Sequence, residues 1–148
     1  MDYEAIKGGL TAAIPYNGHL GLEVVDVGPG RGVVRLPDDE RLRNHVGTQH
    51  AGGLFSAAEA ASGAAFVGAF AEKLGEITPL ARSASIQYVA LARGPITATA
   101  TLEEDATALL ERLGAEGKVQ FPVQVELIDE QGATVATVTV DWHVRRND

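Results

Sequence analysis

Cysteine is absent from the sequence, which excludes disulfides, thiol catalysis and cysteine-ligated metals. Basic residues are scarce: 12 Lys and Arg stand against 20 Asp and Glu, for a formal net charge of −8. A nucleic-acid partner needs a basic footprint, and this balance argues against one. No apolar run of membrane-spanning length escapes dilution by charged and small residues, so no membrane partner is expected. The N-terminus, MDYEAIKGGL, lacks a basic segment leading into an apolar one. A secretory signal is therefore not expected, and the default location is cytoplasmic. Internal repeats, linkers and low-complexity tracts are also missing. The 148 residues suit a single domain, 1–148, with 45% hydrophobic and 22% charged residues as in an ordinary globular core.

What the chain does have is a long run without proline, QHAGGLFSAAEAASGAAFVGAFAEKL, from Gln49 to Leu74. Its large apolar residues Leu54, Phe55, Phe66, Val67 and Phe70 recur at helical spacing, over roughly 50–71. Glycine inside a helix costs about 0.5–1 kcal/mol relative to alanine. Gly63 and Gly68 therefore predict that something approaches this helix closely, such as a sheet wrapped around it. Glu59 breaks the apolar pattern. It lies four residues after Phe55, with Ser62 and Gly63 one turn on and Phe66 two turns on. No Lys or Arg stands three or four residues away to pair with it. A carboxylate placed so is costly to bury and acquires a raised pKa, as a catalytic carboxylate needs; the alternative is a side chain that reaches solvent at a groove edge.

The residues ahead of the helix supply donors. Gly47, Ala51, Gly52 and Gly53 leave backbone N–H groups sterically open at a helix N-terminus, where the dipole favours an anion or developing oxyanion. Asn44 and His50 add hydrogen-bonding side chains there. An ordinary glycine-rich loop capped by Thr48 or Gln49 is the plainer alternative.

Around this centre, residues 2–13 read as an amphipathic helix with Ile6, Leu10 and Ile14 on one face, ended by Pro15 and Tyr16-Asn17-Gly18. Leu22–Val27 and Gly32–Leu36 read as a hairpin about Gly28-Pro29-Gly30-Arg31-Gly32. Residues 37–48 form a charged loop. Gly75 and Pro79 are expected to cap and stop the long helix. Strands follow at 83–91 and 96–101, the second alternating Thr with Ala or Ile. A short helix at 104–117 turns Leu109, Leu110 and Leu113 inward and stops at glycine. Two long strands, Val119–Ile128 and Ala133–Val144, close the chain around the turn Asp129-Glu130-Gln131-Gly132. Trp142 is expected to pack on a neighbour, with His143 on the opposite strand face. This order gives an α+β class: a sheet wrapped around one helix.

The segment NHVGTQHAGGLFSAAEAASG resembles the central-helix signature of the hotdog-fold acyl-CoA thioesterases of the phenylacetate-pathway type and their uncharacterised relatives. That signature has an Asn or Gln, then His-Gly or His-Ala opening the helix, then an acidic residue two turns in. Asn44, His50, Ala51 and Glu59 match it, with Ala51 where many members carry Gly and Glu59 where many carry Asp. The resemblance implies a hotdog fold, an antiparallel sheet wrapped around a long central helix, and hydrolysis of an acyl-CoA thioester. Catalytic candidates are then Glu59 as general base or nucleophile, the Ala51 amide as oxyanion donor, Asn44 orienting water or thioester, and His50 holding the loop or protonating the thiolate. Gly52, Ser62, Arg82 and Ser83 are the substrate-binding candidates, with Ser62 placed to position water or simply to pack. Arg82, Arg93, Arg145 and Arg146 could meet the phosphates of coenzyme A, or merely be solvated charges. No cofactor or metal is expected. A hotdog enoyl-thioester hydratase or dehydratase, or a non-catalytic acyl-CoA binder, would fit the same segment.

Ala51 and Glu59 lie eight residues apart, about 12 Å along a helix axis at 1.5 Å per residue. One chain cannot easily bring both to a single carbonyl. An obligate homodimer with two composite sites, with further pairing to a tetramer as a second level, is therefore expected.

Overall fold

The computed structural model describes residues 1–148. Helix α1 (Tyr3–Ala13) begins at Asp2, whose side chain accepts from the Ala5 amide, and a short α2 (Pro15–His19) follows. Pro15 starts this second turn as well as ending the first, since proline at a first helical position loses no hydrogen bond. Strands β1 (Glu23–Gly28) and β2 (Arg31–Leu36) form the expected hairpin. The long helix α3 (Ala51–Phe70) comes next and tightens into a 3-10 segment over Ala71–Glu76. Then come β3 (Ile77–Tyr88), β4 (Ile96–Leu102), α4 (Ala106–Glu116), β5 (Lys118–Ile128) and β6 (Thr134–Arg146).

All six strands join one antiparallel sheet in the order β1-β2-β4-β5-β6-β3, with α3 lying across its inner face. This is the hotdog arrangement. The periodicity explains the layering. In β4 the Ile and Ala residues are buried and the Thr residues between them face outward. Val119, Phe121, Val123, Val125 and Leu127 of β5 alternate inward in the same way, as do Val138, Val140, Trp142 and Val144 of β6.

Small residues let the helix lie close to the sheet. Ala57, Ala58, Ala61, Ala64 and Ala65 are all buried. A Cβ on Gly32 of β2 would stand 2.6 Å from both the Ala61 carbonyl oxygen and the Ala65 nitrogen, so backbone meets backbone there. Gly68 abuts the Gly28 carbonyl with no room for a Cβ. Gly63 differs from expectation. Its nearest neighbour would be Trp142 at 3.9 Å, an ordinary contact, so it opens a cavity rather than admitting the sheet. The stretch Ala51–Glu76 is long and apolar enough to cross a membrane, but here it is the core helix.

Two boundaries and one burial depart from the sequence reading. Pro79 does not stop a helix but pairs with Val144 inside β3, and Gly75 lies within the 3-10 turn without a left-handed conformation. Proline is tolerated in β3 because that strand is an edge. Val89–Leu91 fall outside the strand, because the amides of Val89 and Ala90 both turn to the Val135 carbonyl. Leu110 is only half-buried, whereas Leu109 and Leu113 enter the core. The glycine stop of α4 is Gly117, at φ +75°, which donates to the Leu113 carbonyl at 2.9 Å.

Candidate active site

The cap of α3 is His50, not Thr48 or Gln49. Its Nδ1 accepts from the Gly52 amide at 2.8 Å, while its carbonyl accepts from Gly53 and Leu54. This fixes the imidazole as an acceptor at Nδ1 and occupies the Gly52 donor. The Ala51 amide is the one first-turn N–H left without an acceptor in the chain. Buried Thr48 and Gln49 hold the approach. The Gln49 amide group donates to the carbonyls of Pro37 (2.9 Å) and Gly94 (3.0 Å), tying two loops beneath the helix start.

Asn44 builds this loop. Its Oδ1 accepts from the amides of Val46 and Thr48, both at 3.0 Å. Its Nδ2 donates to Thr48 Oγ1 at 2.9 Å and to the Gln49 carbonyl at 3.3 Å. Within the chain all its hydrogen-bonding capacity goes to holding the turn that presents Ala51.

Two turns along, Glu59 is half-buried and its side chain makes neither a hydrogen bond nor an ion pair within the chain. Burial without a partner raises its pKa above the ordinary glutamate value. Glu59 lines a mostly apolar cavity of about 160 Å³ together with Leu10, Ile14 and Asn17 on one side and Phe66 and Trp142 on the other. Phe66 and Trp142 stack with centroids 5.5 Å apart. Phe55, expected to bury Glu59, is instead 36% exposed on the open side of the helix.

Ser62 is fully committed to structure: its Oγ donates to the Glu59 carbonyl at 2.7 Å and accepts from Trp142 Nε1 at 3.1 Å. Its one donor is spent and the side chain is fully buried, so its place is to fix the indole and the helix turn carrying Glu59. Trp142 thus packs as expected, and His143 faces the other way. Arg82 and Ser83 are not brought to Glu59. Arg82 sits at a bulge in β3 and reaches Gln120 at 3.1 Å, and Ser83 donates to Asp141 at 3.0 Å, both on the outer face of the sheet. Arg145 and Arg146 meet Lys118 and His143 around a polar cavity at the end of β5 and β6, and Arg93 lies in an exposed loop. A larger cavity, about 480 Å³, opens at the far end of α3, but its acidic residues are exposed and Glu76 pairs with Lys73 at 3.5 Å.

The sequence reading missed Leu10, Ile14 and Asn17 as walls of the Glu59 cavity. For Leu10 and Ile14 the only signal was an apolar helix face, which carries no chemistry of its own, and Asn17 read only as part of the turn that ends that helix. It also missed Tyr88, whose hydroxyl donates to the Ala51 carbonyl at 3.3 Å.

Several solved structures share this architecture. PA5026 from Pseudomonas aeruginosa, described as a probable thioesterase of unknown function, is 28% identical, with 97% of this chain and 95% of that one covered at a TM-score of 0.87. AziG from S. sahachiroi is 26% identical over 90% and 98% of the two chains, at a TM-score of 0.72. The E. coli PaaI protein, from the phenylacetic acid degradation operon, is 21% identical over 95% and 90%, at a TM-score of 0.70, and attests the fold. Among curated proteins no match is found. The profile of DUF4442, a domain of unknown function, matches residues 3–144, and the chain belongs to that family, with a hotdog fold.

Proposed function

We propose that the protein hydrolyses acyl-CoA thioesters, with Glu59 as the carboxylate that activates water or attacks the carbonyl, and the Ala51 amide as the oxyanion donor. The observation that carries this reading is Glu59 itself: an unpaired, half-buried carboxylate with a raised pKa on the wall of an apolar cavity. The unsatisfied Ala51 amide, at the positive end of a 20-residue helix, supplies a fixed donor. The likeness to a probable thioesterase from P. aeruginosa supports the same chemistry. Asn44 and His50 act by positioning: one folds the loop, the other caps the helix, and together they aim the Ala51 amide.

The site is completed by a second copy of the chain. β3 is a 12-residue edge strand with a single charged residue, and its inner-face positions Ala81, Ala84 and Tyr88 stay exposed. Such an edge is a pairing template unless covered. It lies beside the uncovered flank of α3 that carries Phe55, with Tyr88 bonded to the start of that helix. A homodimer paired through this region sets Ala51 of one chain against Glu59 of the other, and removes the separation of about 12 Å expected along one helix. A cytoplasmic setting, where acyl-CoA is available, suits this activity.

The test is thiol release from a panel of acyl-CoAs. Turnover that falls at least about a hundredfold in Glu59→Gln, as loss of a general base predicts, supports the assignment. Enoyl-CoA hydration without thiol release would move the chain to the hydratases. Ligand-induced thermal shift without turnover would make it a binder.

A further inference from the structure

The cavity beside Glu59 also limits what the acyl group can be. We infer that the acyl group is compact, a short aliphatic chain or a single ring, held between the Phe66–Trp142 stack and a roof formed by Leu10 and Ile14. This rests on the thioester reading of the site and adds a substrate class to it.

Three observations carry it. The first is volume: the cavity holds about 160 Å³. An apolar cavity of roughly 150 Å³ accommodates benzene, so about six carbons fill this one. The second is separation: the cavity opens to solvent on one side but does not continue along the helix. The long cavity at the other end of α3 shares no lining residue with it. Val24 borders the smaller cavity and Pro29 the larger, and between them the helix backbone at Gly68 abuts the Gly28 carbonyl. A long chain entering beside Glu59 therefore finds no passage to the larger space. The third is the rigidity of the back wall, where Trp142 is locked by stacking on Phe66 and by its bond to Ser62. The roof is the compliant side: no residue of α1 is fully buried, and Ile14 is 43% exposed.

Two substitutions should move the size limit in opposite directions. Gly63→Ala adds a methyl that meets Trp142 at an unstrained 3.9 Å while taking space from the cavity. Leu10→Ala enlarges the cavity at a position outside the buried core. A methylene in an apolar pocket is worth at least about tenfold in kcat/KM. With acetyl-, butyryl-, hexanoyl-, benzoyl-, lauroyl- and palmitoyl-CoA, kcat/KM should peak at hexanoyl or benzoyl and fall by at least about tenfold at lauroyl. Gly63→Ala should lower the hexanoyl value about tenfold and spare acetyl, and Leu10→Ala should raise the lauroyl value by a similar factor. A rate that climbs through palmitoyl, or one indifferent to both substitutions, overturns the inference.

A second measurement separates it from the hydrolysis reading. Calorimetric Kd values of S-ethyl-, S-hexyl- and S-dodecyl-CoA thioethers on Glu59→Gln need no turnover. Tightest binding of S-hexyl-CoA upholds the size limit even if every thioester proves stable to the wild type, in which case the hydrolysis reading alone falls. Equal or tighter binding of S-dodecyl-CoA removes the size limit whatever the hydrolysis result.

Discussion

The two flanks of α3 are built differently. On the side of β2 and β4 the helix is closed: alanines and glycines bring backbone against backbone at Gly32, Leu36 packs on Gly53, and no charge intervenes. On the side of β3 it is open. Phe55 is exposed, Glu59 has no partner, the Ala51 amide has no acceptor, and the edge strand beside them is uncovered. The closed flank needs only this chain. The open flank brings together an unpaired carboxylate, a free helix amide and an unpaired strand edge, as expected of a surface that a second chain and a substrate complete.

The largest effect should come from breaking the closed flank. Gly32→Ala places a Cβ 2.6 Å from helix backbone, and neither backbone can yield. A destabilisation of about 3 kcal/mol, the upper end for overpacking, is expected in urea unfolding. A loss below about 0.5 kcal/mol, the range of an ordinary surface change, would show that the helix is not held so tightly.

On the open flank a comparably drastic change should spare the fold. Ala84→Lys puts a charge on the exposed inner face of β3. Circular dichroism should be unchanged, while sedimentation shifts to monomer and thiol release disappears. An active monomer would refute the shared site.

The smallest change in stability should come from Glu59→Gln. Because burial raises the folded-state pKa, the protonated carboxyl suits the fold, and that stability is fully present below the unfolded pKa of about 4.3. It is lost as pH rises through the raised folded pKa, where the buried charge forms. Glu59→Gln should therefore be slightly more stable than wild type at neutral pH, by a fraction of a kcal/mol given the partial exposure. The two should converge in acid. Wild-type activity should decline through the same raised pKa as pH falls. A variant less stable than wild type at pH 7 would mean that Glu59 is a structural group.

Much of the closed flank was legible in the sequence, because it is written in periodicity. The alternation in β4, β5 and β6 and the small-residue run of α3 follow from burial geometry alone. Glu59 and Ala51 were legible as exceptions to those patterns. Asn44 and Ser62 were harder. A polar side chain near a site reads the same whether it faces the ligand or the backbone, and only the three-dimensional path of the loop shows that Asn44 bonds to Thr48 and Ser62 to Trp142. Arg82 and Ser83 stand apart from Glu59 for a related reason: the β3 bulge, which sends them outward, leaves no mark in composition. The roof of the cavity comes from residues far from the helix in sequence, and their apolar character said only that something would be covered.

Mixing of inactive subunits tests the shared site most directly. Ala51→Pro removes the proposed oxyanion donor, and proline at a first helical position need not unfold the helix. Glu59→Gln removes the carboxylate. Each homodimer should be nearly inactive, whereas purified heterodimers should recover about half the wild-type activity, because one of two composite sites is intact. Heterodimers as inactive as both parents would place Ala51 and Glu59 in the same site of one chain, contradicting the account.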